Sequence, residues 1–122
     1  MPLHPVYEQE VRDPVHNSIP FTSRERAIVD HPVVQRLRAI RQLGFVSLVY
    51  PGATGDRFTH SLGVMHVAGR MFTQIVNSQP ELFARLFEKE ELAYFLEIVR
   101  LAGLLHDVGH PPLSHSLEEF LP

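Results

Sequence analysis

The stretch from Leu101 to His115 constrains this chain more than any other part of it. Leu92 to Leu105 is apolar almost all round, the pattern of a helix buried in a core rather than laid on a surface. It ends abruptly in His106–Asp107, followed by His110, Pro111–Pro112 and His115. Three imidazoles and a carboxylate gathered at the end of a buried helix are more than packing requires. Histidine and aspartate are ligands for first-row metals and proton-transfer groups, and a helix terminus presents them together. The segment reads as the heart of a metal-dependent hydrolytic site in a mainly helical domain.

Composition narrows the choice of metal and partner. The chain has no cysteine, which excludes a disulfide framework and thiolate ligation and leaves N and O donors for any metal. Mn, Fe, Ni, Zn and Mg all remain open. With 122 residues, 44% of them hydrophobic and 20% charged, one soluble globular domain is expected. No apolar run is long enough for a membrane span and no signal segment opens the chain, so the default location is cytoplasmic. A net charge of −3 gives no basic footprint for nucleic acid.

Before the His-Asp segment, the pattern is a hairpin followed by helices. Val11 to Phe21 reads as a short hairpin turning at Asn17–Ser18, and Thr22 or Ser23 caps a first helix. Asp30–His31–Pro32 opens a second, with Val33, Val34, Leu37 and Ile40 inward and Gly44 as its terminator. Its arginines, Arg36, Arg38 and Arg41, read most simply as a solvated face, though arginines on one helix also gather phosphates. After a loop at Pro51–Asp56, a long helix begins at Arg57, with an apolar stripe of Val64, Val67, Ala68, Met71, Ile75 and Val76. His66 is read as one more polar residue along it. Glu81 to Phe87 forms a short amphipathic helix with Leu82, Phe83, Leu86 and Phe87 inward. In the last helix, Glu97 and Arg100 are expected to pair on the exposed side.

On an ideal helix the side chains of His106 and Asp107 diverge by about 100°. Where the helix unwinds at Gly109, both can still face one ion. A third ligand must come from elsewhere, and His60, at the entrance of the long helix beside a loop, is the best candidate. The competing reading makes His106 a helix-ending residue favoured by the macrodipole and Asp107 a turn residue. Together with His60, His110 and His115, the metal reading is preferred.

Arg57–Phe58–Thr59–His60–Ser61–Leu62–Gly63–Val64 and Leu104–Leu105–His106–Asp107–Val108–Gly109–His110 together resemble the HD-domain metal-dependent phosphohydrolases. The resemblance is strongest to the deoxynucleoside triphosphate triphosphohydrolase branch, the SAM-and-HD-domain type. It extends through Asp13–Pro14–Val15–His16, Gln35–Arg36–Leu37–Arg38, Gln42–Leu43–Gly44, Pro51–Gly52–Ala53 and Pro112–Leu113–Ser114–His115. It implies an all-α fold, the helical HD core, with residues 1–21 as an N-terminal hairpin segment and 22–122 as the N-terminal part of the HD domain. His60, His106 and Asp107 would be metal ligands for a divalent ion. His110 and His115 would line the catalytic pocket, protonating the leaving group or positioning water. Arg57 would contact the substrate phosphate nearest the sugar, and Gln42 and Leu43 the deoxyribose. Asp30, Gln35 and Arg38 match a regulatory guanine-nucleotide site, but Gln9, Glu10 and Arg12 stand where that site has its accompanying basic residue.

By the same resemblance the partners are a nucleotide substrate and further copies of the chain in a homo-oligomer. A fourth metal ligand, an aspartate, is implied far downstream of Asp107, so the chain is expected to be a piece of a longer protein and incomplete as an enzyme alone. Two rival readings share the motif. One is another HD phosphohydrolase, acting on a nucleoside monophosphate or a signalling nucleotide. The other is a non-catalytic HD domain that binds a nucleotide or a partner.

Overall fold

The computed structural model describes residues 5–112. Its first elements are the antiparallel strands β1 (Gln9–Asp13) and β2 (Asn17–Phe21), with Val11 opposite Ile19 and Asp13 opposite Asn17. The turn is Pro14–His16, earlier than the expected Asn17–Ser18. Asn17 takes the left-handed conformation (φ 64°) that closes three-residue hairpin loops, and asparagine tolerates it. The Asp13 carboxylate holds the turn, accepting from the Val15 and His16 amides at 2.9 and 2.8 Å.

Helix α1 (Ser23–Val29) starts at Thr22 with a reciprocal capping box to Glu25. Helix α2 (Pro32–Gln35) is capped by His31, not Asp30, and lasts one turn before tightening into a 3-10 turn, Arg36–Ala39. The single amphipathic helix expected as far as Gly44 is therefore broken. Val34, Leu37 and Ile40 are buried as expected, but Val33 is exposed. Gly44, at φ 57°, opens a second 3-10 turn, Gly44–Leu48, rather than ending a helix.

Two long helices make the frame. Asp56 caps α3 (Arg57–Ser78), its Oδ1 accepting from the Thr59 amide at 2.7 Å. After α4 (Pro80–Leu86), α5 (Lys89–Leu105) returns antiparallel to α3. The pairing is visible residue by residue: Val76 packs with Leu92 and Leu96, Gly69 faces Arg100, Gly103 faces Met65, and His60 meets His106. Gly103 allows the crossing, since a Cβ there would stand 3.1 Å from the Met65 backbone. The main core joins Ile19, Phe21, Val29, Val34, Leu37 and Ile40 to Phe58, Leu62 and Met65 of α3 and Leu104 of α5. The hairpin thus contributes directly to the core of a mostly helical fold.

Three expectations about helix faces are overturned. On α3 the buried positions include Phe58, Leu62, Met65, Gly69 and Val76, while Val67, Met71 and Ile75 are exposed. The helix carries two apolar stripes, and the one with the close-packing glycine faces α5. On α4, Phe83 packs against the Val76–Leu92 cluster and Leu82 and Leu86 point outward. Arg100 is only 2% exposed and follows Leu92 and Leu96 at spacing four along the inner face of α5. It donates to Glu25 twice, at 2.6 and 3.0 Å, and to the Pro20 carbonyl at 2.7 Å. Glu97 pairs instead with Arg24 at 2.8 Å.

Candidate metal centre

The antiparallel frame brings the first turn of α3 against the last turn of α5. Arg57 and His60 stand at one helix entrance; His106, the C-cap of α5, and Asp107 stand at the other's exit. His60 Nε2 lies 3.2 Å from His106 Nε2, and the two nitrogens are 3.6 and 3.4 Å from Asp107 Oδ2. These side chains form the cluster of potential metal donors found among the described residues.

Each donor is held from behind. His106 Nδ1 lies 2.7 Å from the Gly103 carbonyl, and because a carbonyl only accepts, that nitrogen carries the hydrogen. In the neutral ring the Nε2 lone pair is then left to face the cluster. Arg57, 3% exposed, donates from Nη1 to Asp107 Oδ2 at 2.8 Å. A carboxylate oxygen offers more than one lone-pair site, so this bond leaves room for a second partner. Burial, the largest influence, pushes the His60 pKa below the ordinary 6.5, with His106 and Arg57 acting in the same direction and Asp107 opposing. The outcome favours the neutral ring, the form that ligates metals.

The three donors fit a first-row ion. Metal–ligand bonds of about 2.0–2.2 Å at tetrahedral angles place donor atoms roughly 3.3–3.6 Å apart, and the observed separations run from 3.2 to 3.6 Å. Two imidazoles and a carboxylate suit Mn, Fe, Ni or Zn, and three protein donors leave coordination positions for water or substrate.

The remaining sequence candidates are placed as follows. His110 follows the turn after Asp107, its amide donating to the Asp107 carbonyl at 3.0 Å. His115 lies outside the described residues. Gln42 is tied to the entrance of α3 by its amide bond to Gly55 (2.9 Å), beside the Arg41–Asp56 bridge, while Leu43 is exposed. The Gln42 Oε1 is buried and has no hydrogen-bond partner among the described residues. Asp30, Gln35 and Arg38 all have partners within the fold. Asp30 pairs with Arg26 at 3.2 Å, Gln35 Nε2 donates to the Val29 carbonyl at 2.7 Å, and Arg38 donates to Gln35 Oε1 at 2.7 Å while stacking on Phe58. His66, read as one more polar residue along the helix, packs its ring against His16 with centroids 5.1 Å apart.

A groove of about 430 Å³ runs between the hairpin turn and the outer face of α3, with His60 on its edge and Val64, Val67 and Met71 on its wall. Neither His106 nor Asp107 lines it.

With this geometry in hand, the HD domain family model matches residues 57–121, more than half of the chain and all three donors. The chain belongs to the HD domain family. Among the relatives of this HD domain is the bovine (Bos taurus) deoxynucleoside triphosphate triphosphohydrolase SAMHD1, 43% identical over 113 residues, which are 92% of this chain and 18% of that protein. A homologue of the same name from Dictyostelium discoideum is 38% identical over 111 residues, 91% of this chain and 20% of its own length. An uncharacterised protein of the archaeon Methanocaldococcus jannaschii is 39% identical over 108 residues, 88% of this chain and 20% of its own. The chain spans about a fifth of the length of these curated relatives.

Proposed function

We propose that this HD domain is part of a metal-dependent nucleotide phosphohydrolase that converts a deoxynucleoside triphosphate and water into deoxynucleoside and tripolyphosphate. The observation that carries the reading is the convergence of His60 Nε2, His106 Nε2 and Asp107 Oδ2 within 3.6 Å of one another, in a chain of this family. A divalent cation held by these three residues supplies Lewis acidity toward water and the phosphoryl oxygens. In the reaction, the water oxygen bonds to the α-phosphorus while the bond to the sugar 5′ oxygen breaks. That oxygen leaves with a proton, the task assigned to His110 or His115. Arg57 places positive charge beside Asp107 and the reacting phosphate. Its burial and its bond to Asp107 favour a role through the carboxylate in addition to any phosphate contact. The unpartnered Gln42 Oε1 suits the hydroxyl of a deoxyribose, since a buried acceptor without a donor is costly until one arrives. A fourth ligand from a downstream aspartate, as the family resemblance implies, completes the donor set.

The test is product analysis with the full-length protein, a deoxynucleoside triphosphate and added Mn or Mg. Tripolyphosphate and deoxynucleoside in equal amounts, lost in His106→Ala and Asp107→Ala, are the expected result. Orthophosphate released from nucleoside monophosphates instead would identify a different HD chemistry. Bound metal and nucleotide without turnover would identify a binding domain.

A further inference from the structure

The carbonyl oxygen of His110 accepts from both terminal nitrogens of Arg36, at 2.8 Å from Nη2 and 3.1 Å from Nη1. On its other side, the His110 amide is bonded to the carbonyl of Asp107. Both peptide groups flanking the His110 Cα are thereby fixed. One is held by the turn that carries a metal ligand, the other by a side chain 74 residues earlier in the chain.

Arg36 is well placed for this. It sits where α2 passes into its 3-10 turn, between buried Val34 and Leu37, so its backbone is anchored while its side chain is exposed. A planar guanidinium delivers two N–H groups in fixed geometry, which a lysine ammonium does not. No carboxylate pairs with Arg36 in the ion pairs among the described residues. The fork closes on an uncharged carbonyl beside the metal centre.

We propose that Arg36 is a positioning residue, fixing the loop that presents the His110 imidazole to the metal centre without itself touching substrate. Its catalytic consequence rests on the reading of His110 given under the proposed function. In the full-length protein, Arg36→Gln lowers kcat about ten- to a hundredfold, the scale of a misplaced catalytic group. KM stays within about twofold and bound metal is unchanged. Arg36→Lys, with one point donor, recovers little of the loss. In a His110→Ala background, adding Arg36→Gln has no further effect on kcat. Independently of turnover, hydrogen exchange at the His110 amide quickens in Arg36→Gln, and Arg36→Lys carries the same measurements if the glutamine variant fails to fold. Unchanged exchange, or an equal drop in kcat with and without His110, would overturn the proposal. Faster exchange in a protein that hydrolyses no nucleotide would leave the clamp standing and overturn the reading of the site instead.

Discussion

At the scale of single residues, the centre depends on groups that hold its donors in place. Arg57→Met leaves the Asp107 carboxylate largely buried beside two ring nitrogens with its cation gone. Losing one partner of such a pair costs about 3 kcal/mol, to be read as a fall in the urea midpoint; a shift of a few tenths would show that solvent already screens the pair. Two imidazoles make stability pH-dependent. Burial lowers the pKa of both His60 and His66, and at His66 the neighbouring His16, Arg100 and Arg70 add to the effect against Asp13. Below the unfolded value of 6.5 the unfolded chain takes up protons that the folded chain resists, so stability is highest above 6.5 and falls as pH drops toward the folded values. His66→Gln should flatten that acid limb in urea titrations run from about pH 8 down to about pH 5; an unchanged slope would remove His66 from the account. The three potential metal donors draw notice in the sequence because they stand at helix termini beside turn residues. Arg36 is not, because nothing in a run of arginines announces which one reaches a carbonyl 74 residues away.

Elements are decided by which faces meet. Glu25, 1% exposed, both caps α1 and receives Arg100 from α5. Glu25→Ala therefore strands a buried guanidinium and removes a cap, at a cost of about 3–5 kcal/mol, measurable by chemical denaturation. Gly103→Ala drives a methyl into the Met65 backbone and separates α3 from α5, at about 1–3 kcal/mol, and should weaken metal binding by moving His106 away from His60. Equal metal affinity in that variant would show that the two helix ends are positioned independently. Periodicity locates the helices α3 and α5, although α5 begins at Lys89 and not at Leu92, but it cannot rank two apolar stripes on one helix. The stripe of Val67, Met71 and Ile75 has helical spacing as good as the buried one. What distinguishes the faces is close approach through Gly69 and Gly103, a property of the pair of helices. For the same reason Arg100 reads as a surface partner of Glu97 until its true partner, 75 residues away, is seen.

For the whole molecule, the described residues leave considerable apolar surface uncovered. From Leu43 to Gly55 the chain carries no charge, and Phe45, Leu48, Val49 and Tyr50 are all exposed, Leu48 by 80%. Exposed apolar patches of this kind drive association. The chain is expected to self-associate in a concentration-dependent way in sedimentation velocity, and Leu48→Glu to reduce it; concentration-independent behaviour in both would show that this surface is inert. Two helix ends that lie 46 residues apart in sequence are joined at one candidate metal centre. Elemental analysis of the full-length protein after dialysis, alongside His106→Ala, tests it most directly. Close to one divalent ion per chain is expected in the wild type and little in the variant. An absence of metal in both, or equal metal in both, would contradict it.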